Sequence, residues 1–267
     1  MGSLSVNLIR LFIALPLLSL WTYVASGSLY PAEASSEAWA WLSLSGLVGF
    51  VIGDMCLFRA FVVLGPRLSS LIMATAPLIT AIIGFLVLGE TLGTFALLGM
   101  GLTIAGVCWA LADRKASRSA DRRRVALGVL LAFGGALGQA GGLVLSKYGM
   151  GDYDAFASTQ IRVIASCAAW LAIFAVTHRW SALLAALRDA SAMRFTAIGA
   201  LFGPVLGVGL SLYSVQHANT GIAASIMSIT PILLIPITVV FYRERVGVGS
   251  VLGTCVAVAG VVVLFLA

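Results

Sequence analysis

Within the run GLVGFVIGDMCLFRAFVVL (residues 46–64) one acid, Asp54, stands among apolar neighbours. A carboxylate withdrawn from water favours its neutral form, which suits a proton carrier. Ionised and pinned by a basic partner, the same residue would instead hold helices in register, and both readings stand. Arg59 lies five residues on and is poorly aligned for a same-face pair, so a partner for Asp54 is expected from another segment. Arg10, in LIRLFIA, and Arg162, in QIRVIAS, each sit about one turn inside a further apolar run. A guanidinium has the fork to hold a carboxylate or phosphate through two hydrogen bonds. It also has the stem to snorkel to a membrane surface. Gln139, in FGGALGQAGG (133–142), offers an uncharged amide either to a zwitterionic solute or to a neighbouring helix.

These residues need elements to carry them, and composition says what those are. The chain has 267 residues, 61% of them hydrophobic and only 10% charged, with a mean hydropathy of +1.08. Soluble domains carry about a quarter charged residues, so the chain is read as an all-α integral membrane protein. The apolar runs are continuous rather than alternating, which favours helices over a barrel. With about 20 apolar residues per crossing, nine spans are predicted, near 6–24, 41–62, 66–88, 93–112, 125–147, 158–177, 193–213, 219–242 and 247–266. The glycine pairs Gly49/Gly53, Gly138/Gly142 and Gly249/Gly253, and the series Gly199/Gly203/Gly207, have the spacing that lets helices pack closely in lipid.

The net charge of +6 is a topology signal and not a nucleic-acid footprint. When loops alternate between two sides, one side collects Arg67, Arg114, Lys115, Arg118, Arg122, Arg123, Arg124, Arg179, Arg188, Arg194, Arg243 and Arg245. The other holds Lys147 alone. Basic loops stay in the cytoplasm, so a multi-pass inner-membrane protein with its C-terminus outside is expected. The first run is long, has no basic residue before Arg10 and is followed by more spans, so it is read as a retained helix and not a signal peptide.

Two phrases repeat. APLITAIIGFLVLGE (76–90) is echoed by TPILLIPITVVFYRE (230–244), and a shift of 154 residues lays 57–112 on 211–266 without a gap. Pro77 falls on Pro231, Glu90 on Glu244, Gly93 on Gly247, Gly99 on Gly253 and Gly106 on Gly260. A shift of 152 brings Arg10 onto Arg162. The span count makes the two copies run in opposite directions, the mark of an inverted-repeat carrier with its site between the halves. Residues 1–112 form the first repeat with four spans, 113–124 a basic linker, and 125–267 the second repeat with five. A counterpart of 125–147 would lie before Met1, so either a ten-span pattern lacks its first helix or nine spans suffice. Pro77 and Pro231 are expected to kink their helices at a weak point near mid-span. Glu90 and Glu244 recur because each is expected to cap the helix that follows it, where a carboxylate meets the positive helix end.

The stretch LGPRLSSLIMATAPLITAIIGFLVLGETL (64–92), then LLGMGLTIAGV (97–107), with their echo near the C-terminus, resembles the drug/metabolite transporter superfamily, most closely its EamA-type members. The resemblance covers essentially the whole chain. It implies ten helices in two inverted five-helix halves and ATP-independent export or exchange of amino acids, other small metabolites or drugs. The absent first helix is the departure from that pattern.

The expected function is therefore secondary transport of small metabolites such as amino acids, with a small-molecule substrate, a lipid bilayer and no nucleic acid as partners, and with proton coupling through Asp54 and a homodimer as open expectations. A sugar-phosphate or nucleotide-sugar exchanger, a drug exporter and a non-transporting membrane protein are the alternatives. His217 is a further candidate for substrate binding or coupling; with Lys147, Gln160, Gln216 and Asn219 it is placed among solvated helix ends. Trp170 and Phe202 are read as packing. Cys56, Cys108, Cys167 and Cys255 fall in apolar runs with no CxxC, so no metal and no cofactor are expected. GMGD (149–152) matches a short aspartyl-protease pattern, but Asp152 is placed in a loop away from Asp54, and such a pair must nearly touch. HExxH, GxSxG and Walker sequences do not occur, and no enzyme activity is expected.

Overall fold

The computed structural model of the chain describes residues 2–112, 122–227 and 248–265. Among these residues every regular element is a helix. They are α1 (Ser3–Ser26), α2 (Ser36–Leu64), α3 (Pro66–Met73), α4 (Ala76–Leu88), α5 (Thr94–Ala112), α6 (Arg122–Met150), α7 (Ala155–Thr177), α8 (Trp180–Leu187), α9 (Ala190–His217), α10 (Thr220–Met227) and α11 (Val248–Phe265). α1, α2, α6, α7 and α9 are long and apolar enough to cross a membrane, while α4, α5 and α11 contain shorter apolar stretches. Sequence chemistry sets several ends. Ser35, Asp154 and Asp189 each accept a hydrogen bond from the main-chain N–H three residues on, capping α2, α7 and α9. Gly27 and Gly89 close α1 and α4 in the left-handed conformation.

The predicted spans and the helices differ in places. The expected 66–88 span is two helices separated at Ala74–Thr75, and Pro77 sits in the first turn of the second. A proline there loses no ladder hydrogen bond, so it starts a helix instead of kinking one. Pro231, with most of the expected 219–242 span, lies outside the described residues, as does Glu244. α8 was not foreseen. Its eight residues are too few to cross a bilayer, and they leave Trp180, Leu184 and Leu187 exposed.

The repeat is visible in the element bounds. The 154-residue shift carries α2 onto α9, α3 onto α10 and α5 onto α11 to within a residue, and the 152 shift does the same for α1 and α7. It also extends beyond the segment of identical residues. α2 and α9 each contain a seven-residue π-helical stretch, LVGFVIG (Leu47–Gly53) and LFGPVLG (Leu201–Gly207), at equivalent positions. Pro204 occurs in the second and not the first, so proline is not what makes the turn widen. The two stretches share leucine, glycine, valine and glycine at 47/201, 49/203, 51/205 and 53/207.

The chain folds as two compact units, and each draws helices from both repeats. One comprises Met1–Met55 and Gly141–His217, the other Cys56–Ala140 and Ala218–Ala267. In the first, α1 and α7 pack antiparallel. Leu8, Leu11, Ala14 and Leu18 recur at helical spacing and meet Val163, Cys167, Trp170 and Phe174 in one buried cluster. Trp21 stacks on Phe156 at the Ser26 end of α1, with ring centroids 4.4 Å apart. In the second unit α5 and α11 are antiparallel and in backbone contact. A Cβ on Gly106 would lie 2.3 Å from the Ala257 nitrogen, and one on Gly260 would lie 2.5 Å from the Thr103 nitrogen. Those two glycines are counterparts, and each receives the other's helix, so the pair is packed about a local two-fold relation. Small residues let the backbones approach where lipid offers no hydrophobic drive to association.

Candidate functional site

The first unit gathers polar side chains that the sequence scatters over more than 150 positions. Asp54 follows the π-helical stretch of α2 and is buried. Arg10 on α1 donates through a guanidinium nitrogen to its carboxylate and forms an ion pair with it. Arg162 on α7 is only 5% exposed, and its charge also acts on Asp54. The Arg162 guanidinium lies over the Phe50 ring, 4.7 Å from the centroid, a cation–π arrangement in which the ring face stands in for lost water. Phe50 is one turn before Asp54, and its carbonyl accepts a hydrogen bond from the Trp170 indole at 3.2 Å. Glycine brings α2 and α7 together here: a Cβ on Gly46 would lie 2.5 Å from the Arg162 carbonyl oxygen.

The partner of Asp54 thus comes from another helix, as the spacing to Arg59 suggested, and Arg59 itself is exposed. Arg10 meets the acid directly, whereas Arg162 is buried against Phe50. Asn7, one turn before Arg10 and on the same face, was not singled out by the sequence. It is fully buried, and its amide has no hydrogen-bond partner among the described residues. An isolated asparagine near the start of an apolar run carries no signal of burial; only its spacing of three from Arg10 hinted at a shared face.

Gln160 departs most from expectation. The sequence places it among solvated helix ends, yet it is 1% exposed and its amide is hydrogen-bonded through both nitrogen and oxygen. Its nitrogen donates to Ser19 Oγ at 2.8 Å and to the Leu29 carbonyl at 2.9 Å, and its oxygen accepts from Thr22 Oγ1 at 2.7 Å. Because α1 is antiparallel to α7, the end of one helix lies beside the start of the other and shields the amide from water. Gln216 also bridges, donating to the Gly151 and Tyr153 carbonyls at 2.9 and 3.1 Å. Burial and the nearby Glu33 and Asp154 carboxylates push the Tyr153 phenol above its ordinary range, so the loop after α6 keeps a neutral hydroxyl.

Other candidates lie apart from the cluster. Gln139, on α6, is exposed. His217 is exposed, lies tilted against Tyr213 at 4.5 Å between centroids, and shares a 2.9 Å hydrogen bond with the Tyr213 carbonyl. Phe202 is exposed, while Trp170 is buried as packing. Asp152 is exposed in the turn after α6; the group meeting Asp54 is a guanidinium and not a second carboxylate. Among the described residues no group of His, Cys, Asp and Glu is arranged to hold a metal.

Glu90 caps a helix of the other repeat. In the second unit its Oε2 accepts from the Thr220 main-chain N–H at 2.8 Å and from Thr220 Oγ1 at 2.7 Å, at the first residue of α10. The packing of α4 on α10 delivers it there, with a Cβ on Gly84 only 2.4 Å from Thr220 Oγ1.

The EamA-like transporter family matches residues 1–112 and 126–266, one copy on each repeat. The chain belongs to that family. An EamA-like protein is a multi-pass membrane protein of the drug/metabolite transporter superfamily, and the apolar helices fit that membership. Among solved structures, one described only as a crystal structure of a protein is similar in fold. Its TM-score is 0.70 at 18% identity, and the alignment covers 98% of this chain and 86% of that one. No curated protein matches the chain.

Proposed function

We propose that this EamA-like protein is a secondary carrier of small metabolites such as amino acids, moving them outward by alternating access and coupling that movement to protons through Asp54. The observation that carries the proposal is the Arg10–Asp54 pair, its acid buried and its arginine partly so, in a chain whose family is a transporter family. A neutral acid has no electrostatic hold on Arg10, so a proton arriving at Asp54 loosens the joint between α1 and α2. A proton leaving restores it. An ion pair in a low-dielectric interior is stable only while both charges are present, which gives proton transfer a large lever on helix packing. The antiparallel counterpart pairs α1/α7 and α5/α11 supply the repeat layout on which alternating access rests. The sidedness proposed is that of the charges, with basic loops toward the cytoplasm.

The test is flux in reconstituted vesicles, using a panel of amino acids and cationic drugs with and without a proton gradient. Gradient-responsive flux is expected from the native protein. Asp54→Asn should keep the folded protein in the membrane and abolish the response to pH. Flux indifferent to the gradient, or a variant with unchanged pH dependence, would end the coupling assignment.

A further inference from the structure

We propose that Arg162, with Ser158 one turn before it on α7, receives the carboxylate group of the solute this protein carries. The two residues are four apart and share a helix face. Both are buried, Ser158 completely. Among the described residues Ser158 Oγ and Arg162 Nε have no hydrogen-bond partner, although buried donors are nearly always satisfied. The charges are also uneven. The charges of two guanidiniums, Arg10 and Arg162, act on one carboxylate, and that carboxylate accepts its hydrogen bond from Arg10. An uncompensated cation in a low-dielectric interior is costly, and an anion bound beside it removes the cost. Phe50 covers one face of the Arg162 guanidinium. The planar N–H edge is what remains for a ligand, and that edge fits a carboxylate through two parallel hydrogen bonds. The Ser158 hydroxyl supplies a further donor one turn away. As a statement about the transported solute this rests on the carrier reading above; the site itself is measured without transport.

The experiment is thermal unfolding of the purified full-length protein in detergent, titrated with sodium acetate. Acetamide serves as the neutral isostere, and sodium chloride at equal ionic strength as the control for anions in general. Acetate is expected to raise the midpoint saturably, and acetamide and chloride are not. Arg162→Gln should abolish the acetate response. Ser158→Ala and Arg162→Lys should each weaken acetate binding by about tenfold or more, the loss expected when a charge-assisted or bidentate contact is removed. No response in the native protein, or an undiminished one in Arg162→Gln, overturns the assignment. An equal response to chloride overturns the carboxylate class. If Arg162→Gln does not fold, Ser158→Ala and Arg162→Lys decide, and a native-like acetate response in both overturns the site. An Arg162-dependent acetate response in a protein that moves no member of the panel supports the site and removes the carrier reading. Flux without any acetate response does the reverse.

Discussion

The stretch that ends at Asp54 and its counterpart that ends at Val208 share a backbone and differ in charge. Both pass through a π-helical segment that contains equivalent glycines, Gly49 and Gly53 in one and Gly203 and Gly207 in the other. Where the first continues with Asp54, the second continues with Val208, and where the first has Phe50, the second has Pro204. The arginines behave oppositely. Arg10 and Arg162 are counterparts in the two repeats, yet among the described residues Arg10 pairs with an acid of its own repeat and Arg162 does not. The backbone irregularity therefore belongs to the duplicated frame, whereas the ion pair is the property of one copy. A carrier built on this frame has two equivalent basic positions and one acid to assign between them. That inequality leaves Arg162 over an aromatic ring with a donor to spare.

The comparison breaks most sharply at the pair itself. Removing one partner, by Arg10→Leu or Asp54→Leu, leaves a buried charge alone and should cost about 3–5 kcal/mol. The double variant should recover most of that loss, because two apolar residues leave no charge behind. Denaturant unfolding in detergent reads all three, and single losses that simply add in the double variant would show the pair to be uncoupled.

A second variant sharpens the comparison by moving the acid. If the frame is equivalent in both repeats, Val208→Asp places a carboxylate toward Arg162 as Asp54 stands toward Arg10. The substitution should then cost less in the native background than beside Arg162→Gln, by an interaction of about 1–3 kcal/mol. A coupling near zero would mean that the shared π-helical stretch does not carry the geometry of the pair with it.

The smallest effect is expected at the caps. Glu90 accepts two hydrogen bonds from Thr220 at the start of α10, whereas the equivalent start of α3 is Pro66, which has neither a main-chain N–H nor a hydroxyl. Glu90→Gln keeps an acceptor but loses the charge at the helix end, for an expected loss of about 0.3–1 kcal/mol in thermal unfolding. A larger loss would show Glu90 to be more than a cap.

The sequence by itself determined the class of the molecule, the duplication and the unusual residues. Too few charges for water, continuous apolar runs and a fixed-register repeat of proline, glutamate and glycine are properties of the chain, readable because each depends on neighbours in sequence. It also marked Asp54, Arg10 and Arg162, since ionisable residues in apolar runs stand out wherever they fold. Only the tertiary structure decided who meets whom. Gln160 looked like a solvated helix end until antiparallel α1 covered it with Ser19, Thr22 and the Leu29 carbonyl. That Glu90 also caps α10 became visible only where α4 packs beside α10. Pro77 was expected to bend a helix and instead begins one, because Ala74 and Thr75 leave the helix first. Partnership across 44 residues, as for Arg10 and Asp54, or across 138, as for Thr22 and Gln160, is set by which helix faces pack. Periodicity within one helix fixes its apolar stripe but not the neighbour that stripe will find.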